Sequence, residues 1–209
     1  TGFTWRAKAL RRASLMTRRR PPKESEVPGL AARRAALRLL DAVLRRGEAL
    51  ETALHAATQG LTRGSDKGLA HAIAADTLRW LPDLDALIDS VTEQIIPPDA
   101  KSRMVLRLAL AQILCLETPH HAAVSTALPL VDGGPRKLVH GVLGSLLRAE
   151  VTLPEQPTLP IEAAERWGAL WGEAMTGAAA RALGRRAPID LTLADAIETG
   201  HFTDMLGGV

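Results

Sequence analysis

Apolar residues recur at helical spacing through residues 27–150, and no convincing alternation of apolar and polar residues occurs there. Apolar positions three and four residues apart form one face of an amphipathic helix, whereas strict alternation indicates a strand. Short turn-forming stretches divide the region, at Gly47, 63–66 (RGSD), Pro82, 97–99 (PPD), Pro119 and 132–135 (DGGP). We therefore predict an all-α bundle of about seven helices with short connections.

One predicted helix is apolar enough to lie in the middle of the bundle. Segment 101–117 is apolar almost all round and is interrupted mainly by Arg103, Arg107 and Gln112. A helix that is hydrophobic on every side is typical of a buried position. The segment's longest near-apolar run, 106–116, is too short to span a membrane and contains Arg107 and Gln112.

The last predicted helix of the bundle, within 135–148, has an apolar face but also contains Gly141 and Gly144. Each glycine costs a helix about 1 kcal/mol relative to alanine. We expect a neighbouring helix to pass close to the backbone at these two positions.

The character of the chain changes after residue 150. A proline-rich connector, 151–160, leads into an alanine- and glycine-rich helical stretch with Trp167 and Trp171 one turn apart. We interpret these two side chains as packing anchors. The segment 187–193 (APIDLTL) reads as the first strand of the chain, followed by an abrupt end. The predicted organisation is a basic flexible tail (1–26), a helical domain (27–150), a connector and helical linker (151–187), and the start of a truncated region (188–209).

Charge is distributed unevenly along the chain. Residues 1–23 contain eight basic residues and no acidic one, which leaves 18 basic against 23 acidic residues, a formal −5, in the remainder. The tail could be an organellar transit peptide or a phosphate-binding arm. We favour a third interpretation, in which Met16 is the true start.

The stretch CLETPHHAAV, 115–124, raises the question of a metal site or a cysteine nucleophile. A structural zinc site needs four ligands, usually in two close pairs, and only Cys115, His120 and His121 are grouped here. Cys115 lies between two leucines, whereas a reactive thiolate needs an exposed and electropositive setting. We interpret the stretch as a helix end, with Cys115 as a small core residue.

The sequence does not support an acid–base site or a nucleotide-binding loop either. Asp85 and Asp89 share a helix face, but that spacing is more often a solvated surface or a cap. No glycine-rich phosphate loop occurs, and the absence of tyrosine argues against aromatic single-strand platforms. We therefore assign no catalytic, cofactor-binding or metal-binding residue.

The first predicted helix carries a candidate nucleic-acid contact. At 100° per residue, Arg34, Arg38 and Arg45 fall within about 40° of one another, opposite an apolar stripe. This basic ridge (Arg34, Arg38 and Arg45) follows the arginine-rich tail, and we expect Arg33 to assist it. Guanidinium groups bind phosphates by charge and by their planar fork. The alternative is an ordinary solvated basic face.

Four segments resemble the NusB fold in their order and pattern. They are ARRAALRLLDAVLRRGEALETAL (32–54), SDKGLAHAIAADTLRWLPDLDALI (65–88), RMVLRLALAQILCLETPHHAAVSTALPLV (103–131) and KLVHGVLGSLLR (137–148). That all-helical RNA-binding domain occurs alone in the bacterial antitermination factor. It also occurs in front of ribosomal-RNA cytosine-5 methyltransferases of the Sun, Fmu and RsmB type. His140 stands where asparagine is common, and Thr126 where glutamate is often found, which changes polar contacts but not the packing pattern.

The segments after residue 150 resemble the region that leads into the methyltransferase half of the fused enzymes. The resemblance implies a catalytic half that binds S-adenosylmethionine on a Rossmann-like sheet and attacks cytosine with the cysteine of a Pro-Cys motif. Cys115 follows Leu114 and lies in the wrong domain. We therefore expect the truncated chain to lack both the nucleophile and the cofactor site, and to be inactive alone.

The resemblance and the basic ridge together predict an RNA-binding N-terminal portion of a cytoplasmic, S-adenosylmethionine-dependent 16S-type ribosomal-RNA cytosine-C5 methyltransferase. Its partner would be ribosomal RNA, held by backbone and shape for a flipped cytosine, without membrane contact. A protein partner on the acidic helical body is a further expectation. The alternative function is a non-enzymatic RNA-binding module of the antitermination type.

Overall fold

The computed structural model of the protein describes residues 27–185, which form helices with no strand among them. The prediction of an all-α bundle of about seven helices is confirmed for 27–150. The predicted tail (1–26) and strand (187–193) lie outside the described residues. The helices are α1 (Leu30–Arg46), α2 (Leu50–Ala57), α3 (Gly64–Arg79), α4 (Leu81–Asp89), α5 (Lys101–Leu114), α6 (His120–Ala127), α7 (Gly133–Arg148) and α8 (Ile161–Gly184).

Helix α5 is the centre of the bundle, as its sequence predicts. It packs against α1, α3, α4, α6 and α7, and every residue from 102 to 112 is buried. The fully buried Leu106, Leu108 and Leu110 show that apolar side chains point from it in several directions. Surrounding helices therefore cover the whole circumference of α5, which is why no polar face was needed in its sequence.

Helix α4 is held on α5 by two ion pairs. Arg107 donates from Nε and Nη2 to Asp85 Oδ1 and Oδ2, at 2.7 and 2.8 Å. Arg103 donates from Nη1 and Nη2 to Asp89 Oδ1, at 2.8 and 2.5 Å. The interpretation of Asp85 and Asp89 as a solvated surface or cap is wrong, since both carboxylates neutralise buried guanidinium groups of the central helix.

The same two arginines also fix the loop between α4 and α5. Arg103 Nε donates to the carbonyl of Ile96 at 3.0 Å, and Arg107 Nη1 donates to the carbonyl of Pro98 at 3.1 Å. Planar guanidinium groups have five N–H donors, so each can serve a carboxylate and a carbonyl together. The two buried arginines of α5 therefore hold both α4 and the loop before α5 in place.

No neighbouring helix in the described part of the chain passes close to the glycines of α7. The expectation of a close approach at Gly141 and Gly144 is therefore wrong. A Cβ added at Gly141 would have no atom within 4 Å, and one at Gly144 would meet only Arg148 Nη1, at 3.3 Å. The buried face of α7 is formed instead by Val139, Val142, Leu143 and Leu146.

The connector 151–160 is docked on the bundle. Thr158 donates to Asp83 on α4 twice, from its backbone N–H to Oδ2 at 2.9 Å and from Oγ1 to Oδ1 at 2.6 Å. Leu153 packs against the core, and the buried Pro157 lies so close to Gly184 that a Cβ there would be 2.8 Å from it. The connector thus joins α4 to the end of α8.

Replacing Asp83 by alanine should release this connector. Two hydrogen bonds to a carboxylate would be lost, each contributing on the order of 1.5 kcal/mol. We expect limited proteolysis to cut within 151–160 several times faster than in the wild-type chain, as read by mass spectrometry. Thr158→Val retains the backbone donor and should give an intermediate rate. Equal cleavage of all three proteins would contradict the anchoring role.

Helix α8 bends at Gly172, where φ is 79° and ψ is 166°. Only glycine adopts such a conformation at little cost, so the bend is encoded locally. No residue of α8 is buried, and Leu170, Trp171 and Met175 are each more than half exposed. Trp167 and Trp171 contact each other with ring centroids 6.0 Å apart. Trp171 is therefore not the packing anchor that its spacing predicts.

None of the helices within 27–185 is both long enough and apolar enough to cross a lipid bilayer.

Candidate nucleic-acid interface

Helix α1 separates its arginines between the interior and the surface. On its apolar face, Ala36 and Leu40 are completely buried, and the helix packs against α2, α3 and α5. The three arginines of the basic ridge, Arg34, Arg38 and Arg45, are exposed as their spacing predicts. The structure therefore brings the ridge residues to one surface, along about three turns of helix.

Arg33 does not belong to that surface, and the structure corrects its prediction as an RNA contact. Arg33 is only 8% exposed, and its Nε donates to Gln112 Oε1 of α5 at 2.7 Å. Gln112 in turn donates to the carbonyl of Leu108 at 3.0 Å. Burial lowers the pKa of the Arg33 guanidinium, and the charge of Asp66 offsets part of that decrease. The side chain links α1 to α5.

The start of α1 is shaped around Arg33. Gly29, the residue before the helix, has φ 77°, and a Cβ there would lie 2.5 Å from Arg33 Nη1. The carbonyl of Gly29 accepts a weak bond from the same nitrogen at 3.4 Å. The positive φ at position 29 favours glycine, and any side chain there would force the Arg33 guanidinium to shift.

Arg38 combines exposure with a fixed position. Its Nε and Nη2 donate to the carbonyl of Ala57 at 3.0 and 2.7 Å. Ala57 is the last residue of α2, where unpaired carbonyls and the helix dipole favour a positive charge. The two bonds use two of the five N–H donors of the guanidinium, so Arg38 can also bind a phosphate.

The basic ridge also contains an acid that the prediction left out. Asp41 lies about 20° from Arg34 at 100° per residue, and it pairs with Arg45 at 3.1 Å and with Arg46 at 2.8 Å. Glu48 accepts from Arg46 Nε at 2.6 Å, and this hydrogen bond raises the pKa of Arg46. Exposed ion pairs contribute at most about 1 kcal/mol, so a polyanion can compete for these guanidinium groups.

A second basic surface was missed by the sequence analysis. The exposed positions of α7 include Arg136, Lys137, His140 and Arg148, and the helix has no acidic residue. The sequence did indicate this basic surface, since segment 133–148 contains no Asp or Glu. This α7 surface provides a comparison for any test of the basic ridge.

The helix boundaries decide between the interpretations of the stretch 115–124. Helix α5 ends at Leu114, Cys115 is its C-terminal cap residue, and α6 begins at His120 after Pro119. The interpretation as a helix end is confirmed, although Cys115 is only half-buried. Among residues 27–185, no group of three His, Cys, Asp or Glu side chains could hold a metal ion.

The described residues do not fit S-adenosylmethionine. The implied binding half uses a sheet with a strand–turn–helix, whereas residues 27–185 are helices and connections alone. We therefore assign no step of methyl transfer to any of these side chains.

Comparisons with known proteins agree with this architecture. The family model described as NusB matches residues 30–148, more than half of the chain. Proteins named ribosomal RNA small subunit methyltransferase B from Xanthomonas campestris pv. campestris and Xylella fastidiosa are 33% and 32% identical over 126 and 154 residues. These alignments cover 60% and 69% of this chain, which spans only 29% and 35% of those relatives.

A solved structure described as a plectonemic RNA supercoil contains a chain of the same fold. It superposes with a TM-score of 0.54 at 21% identity, over 59% of this chain and 96% of that one. The likeness concerns the fold alone at that identity. The family match over α1–α7 carries the assignment, and by it this chain is a member of the NusB family.

Proposed function

We propose that the protein binds RNA through the exposed face of α1, as the RNA-positioning portion of a small-subunit ribosomal-RNA cytosine-C5 methyltransferase. The basic ridge would hold the ribose-phosphate backbone. Methyl transfer, with S-adenosylmethionine as donor, would be the work of residues other than those described. This division assigns binding to the helical bundle and chemistry to the longer parent enzyme.

The observation that carries the proposal is the exposure of Arg34, Arg38 and Arg45 along one side of a NusB-family helix. Neutralising phosphates releases counterions, so a row of exposed cations contributes affinity without reading sequence. Arg38 is positioned in advance by its bonds to Ala57, so that binding fixes less side-chain freedom. The names of the relatives support ribosomal RNA as the substrate class.

The alternative is a non-enzymatic RNA-binding module of the antitermination type. The family match covers α1–α7 and ends at the last residue of α7, which is the part of the chain that such a module would need. Against the alternative, one alignment to a methyltransferase relative covers 69% of this chain, a larger part than the family match to 30–148 covers. The docked connector and the exposed apolar side chains of α8 also favour a larger protein, in which a partner surface covers α8.

Replacing the basic ridge by glutamine tests the proposal. The variant Arg34→Gln/Arg38→Gln/Arg45→Gln removes three charges, while the glutamine at 38 can still donate to the Ala57 carbonyl. We expect affinity for small-subunit ribosomal-RNA hairpins to fall about tenfold to a hundredfold at low salt, measured by fluorescence anisotropy.

The matched control is Arg136→Gln/Lys137→Gln/Arg148→Gln, which removes the same charge from α7. It should retain its affinity for the RNA hairpins within about threefold, because the lost charges of α7 act on the basic ridge only through the long-range electrostatic field. Thermal unfolding of both variants would establish that they fold. If the α7 variant lost affinity and the α1 variant did not, RNA would bind at α7, and the proposed interface on α1 would be wrong.

A further inference from the structure

A cavity opens beside the basic ridge, between α1, α2 and the beginning of α5. Its volume is about 370 Å³, within the range of small-ligand sites. The floor is aliphatic and is formed by Leu37, Ala53, Ala57 and Met104. Of these, Ala53, Ala57 and Met104 are buried in the bundle core, so the floor is held rigidly.

The rim of the cavity is charged, with cations in excess. Arg38, Arg45, Arg46 and Lys101 lie on it together with Asp41, Glu48 and Asp99. Arg38 and Arg45 also belong to the basic ridge, so the cavity is continuous with the surface proposed to bind phosphates. Carboxylates at the same rim are hydrogen-bond acceptors of the kind that exocyclic amino groups of bases require.

We propose that this cavity binds one unstacked nucleotide, with its base on the aliphatic floor and its phosphate on the guanidinium rim. The proposal rests on the proposed function and deepens it, since it adds a base site to a backbone-binding ridge. A base has a flat, weakly polar face and polar edges, which matches an apolar floor under a mixed rim. Met104 is part of that floor, and its sulfur also accepts a hydrogen bond from Arg107 Nη1 at 3.6 Å.

The source of the nucleotide is either an RNA strand or a free nucleoside monophosphate. Continuity with the basic ridge favours RNA, because neighbouring phosphates would then lie on the ridge. An aliphatic floor also explains how a chain without tyrosine could hold a base. Bases stack on aromatic platforms whatever their sequence, and we expect an aliphatic floor to contribute less to binding than such a platform.

Filling the cavity without changing charge tests the proposal. Ala56 is an exposed residue that lines the cavity, and Ala56→Leu would project into the space. Thr52→Leu makes a comparable apolar change at an exposed position of α2 that is not part of the lining. The probes are homopolymeric RNA single strands, a blunt RNA duplex and free nucleoside monophosphates, each titrated against the full chain.

We expect Ala56→Leu to weaken single-strand binding about tenfold, with the dependence on salt and the duplex affinity unchanged. Thr52→Leu should behave as wild type. If wild-type RNA binding persists undiminished in Ala56→Leu, the cavity is not a base site, while the proposed function stands. Binding of free nucleoside monophosphates alone, lost in Ala56→Leu, would support the cavity and remove the proposed function. Absence of both kinds of binding would overturn the cavity proposal.

A measurement on the unmodified chain makes the result independent of variant folding. The methyl resonance of Met104 can be assigned among the four methionines of the chain. We expect it to shift on addition of single strands, because a base on the floor would contact it directly. A Met104 resonance that stays unchanged at saturating RNA would overturn the proposal.

Discussion

Replacing Asp85 by asparagine should lower the free energy of unfolding by about 2–3 kcal/mol. Removing one partner of a buried ion pair leaves an uncompensated charge, which costs about 3–5 kcal/mol when burial is complete. Arg107 is only 4% exposed, whereas the side chain of Asp85 is 27% exposed, so we expect less than the full cost. Arg103 would lose a neighbouring charge as well, since its Nη1 lies 3.5 Å from Asp85 Oδ1. Urea denaturation measures the effect.

The control is Asp41→Asn, which removes a carboxylate that also binds two arginines. Here Arg45 and Arg46 are 55% and 53% exposed, so water can replace the lost interaction. We expect a change below about 1 kcal/mol. Equal costs for the two variants would mean that the guanidinium groups of α5 are not buried charges in solution.

The second large effect concerns the link between α1 and α5. Gln112→Leu should destabilise the protein by about 2–3 kcal/mol, because Arg33 Nε would lose its acceptor in the interior. The double variant Arg33→Met/Gln112→Leu replaces both partners by apolar groups of similar size. We expect its stability to return to within about 1 kcal/mol of wild type, since such paired replacements are often nearly neutral. Urea denaturation of the two single variants and the double variant provides the cycle.

The double variant also separates Arg33 from the basic ridge. Because its guanidinium lies inside the bundle, its removal should leave RNA affinity unchanged within about twofold. If Gln112→Leu costs less than 1 kcal/mol and Arg33→Met weakens RNA binding, Arg33 turns outward in solution. That result would restore the original prediction for this residue.

The architecture was predictable because it depends on local periodicity. The spacing of apolar residues along α1 and the nearly continuous apolar surface of α5 are properties of single helices, and both helices lie where these patterns place them. Gly141 and Gly144 show the limit of that reasoning. Their helix was predicted, but whether anything approaches them depends on other elements, and within residues 27–185 no atom of a neighbouring helix does.

The candidate site was predictable only in part, for the same reason. Periodicity places Arg34, Arg38 and Arg45 on the face away from the core, but Arg33 lies at the flank, where the position of α5 decides its exposure. Asp41 could have been found, since it lies between Arg38 and Arg45 in sequence and only about 20° from Arg34 around the helix. The cavity has no signal along the chain, because three helices that are distant in sequence form it.

The pairing of α4 with α5 did have a signal. Asp85 and Asp89 are four residues apart, and so are Arg103 and Arg107 on the next predicted helix. Matching acidic and basic pairs at equal spacing favour an interhelical network over a solvated face, because burying either pair alone is costly.

The central claim is that exposed guanidinium groups of α1 neutralise RNA phosphates, and the salt dependence of binding tests it most directly. For each phosphate neutralised, the slope of log K against log salt concentration changes by about 0.7 for single strands and 0.9 for duplexes. We predict that the slope for Arg34→Gln/Arg38→Gln/Arg45→Gln is shallower than that of the wild-type chain by about two to three such increments. Identical slopes for the two proteins would contradict the claim.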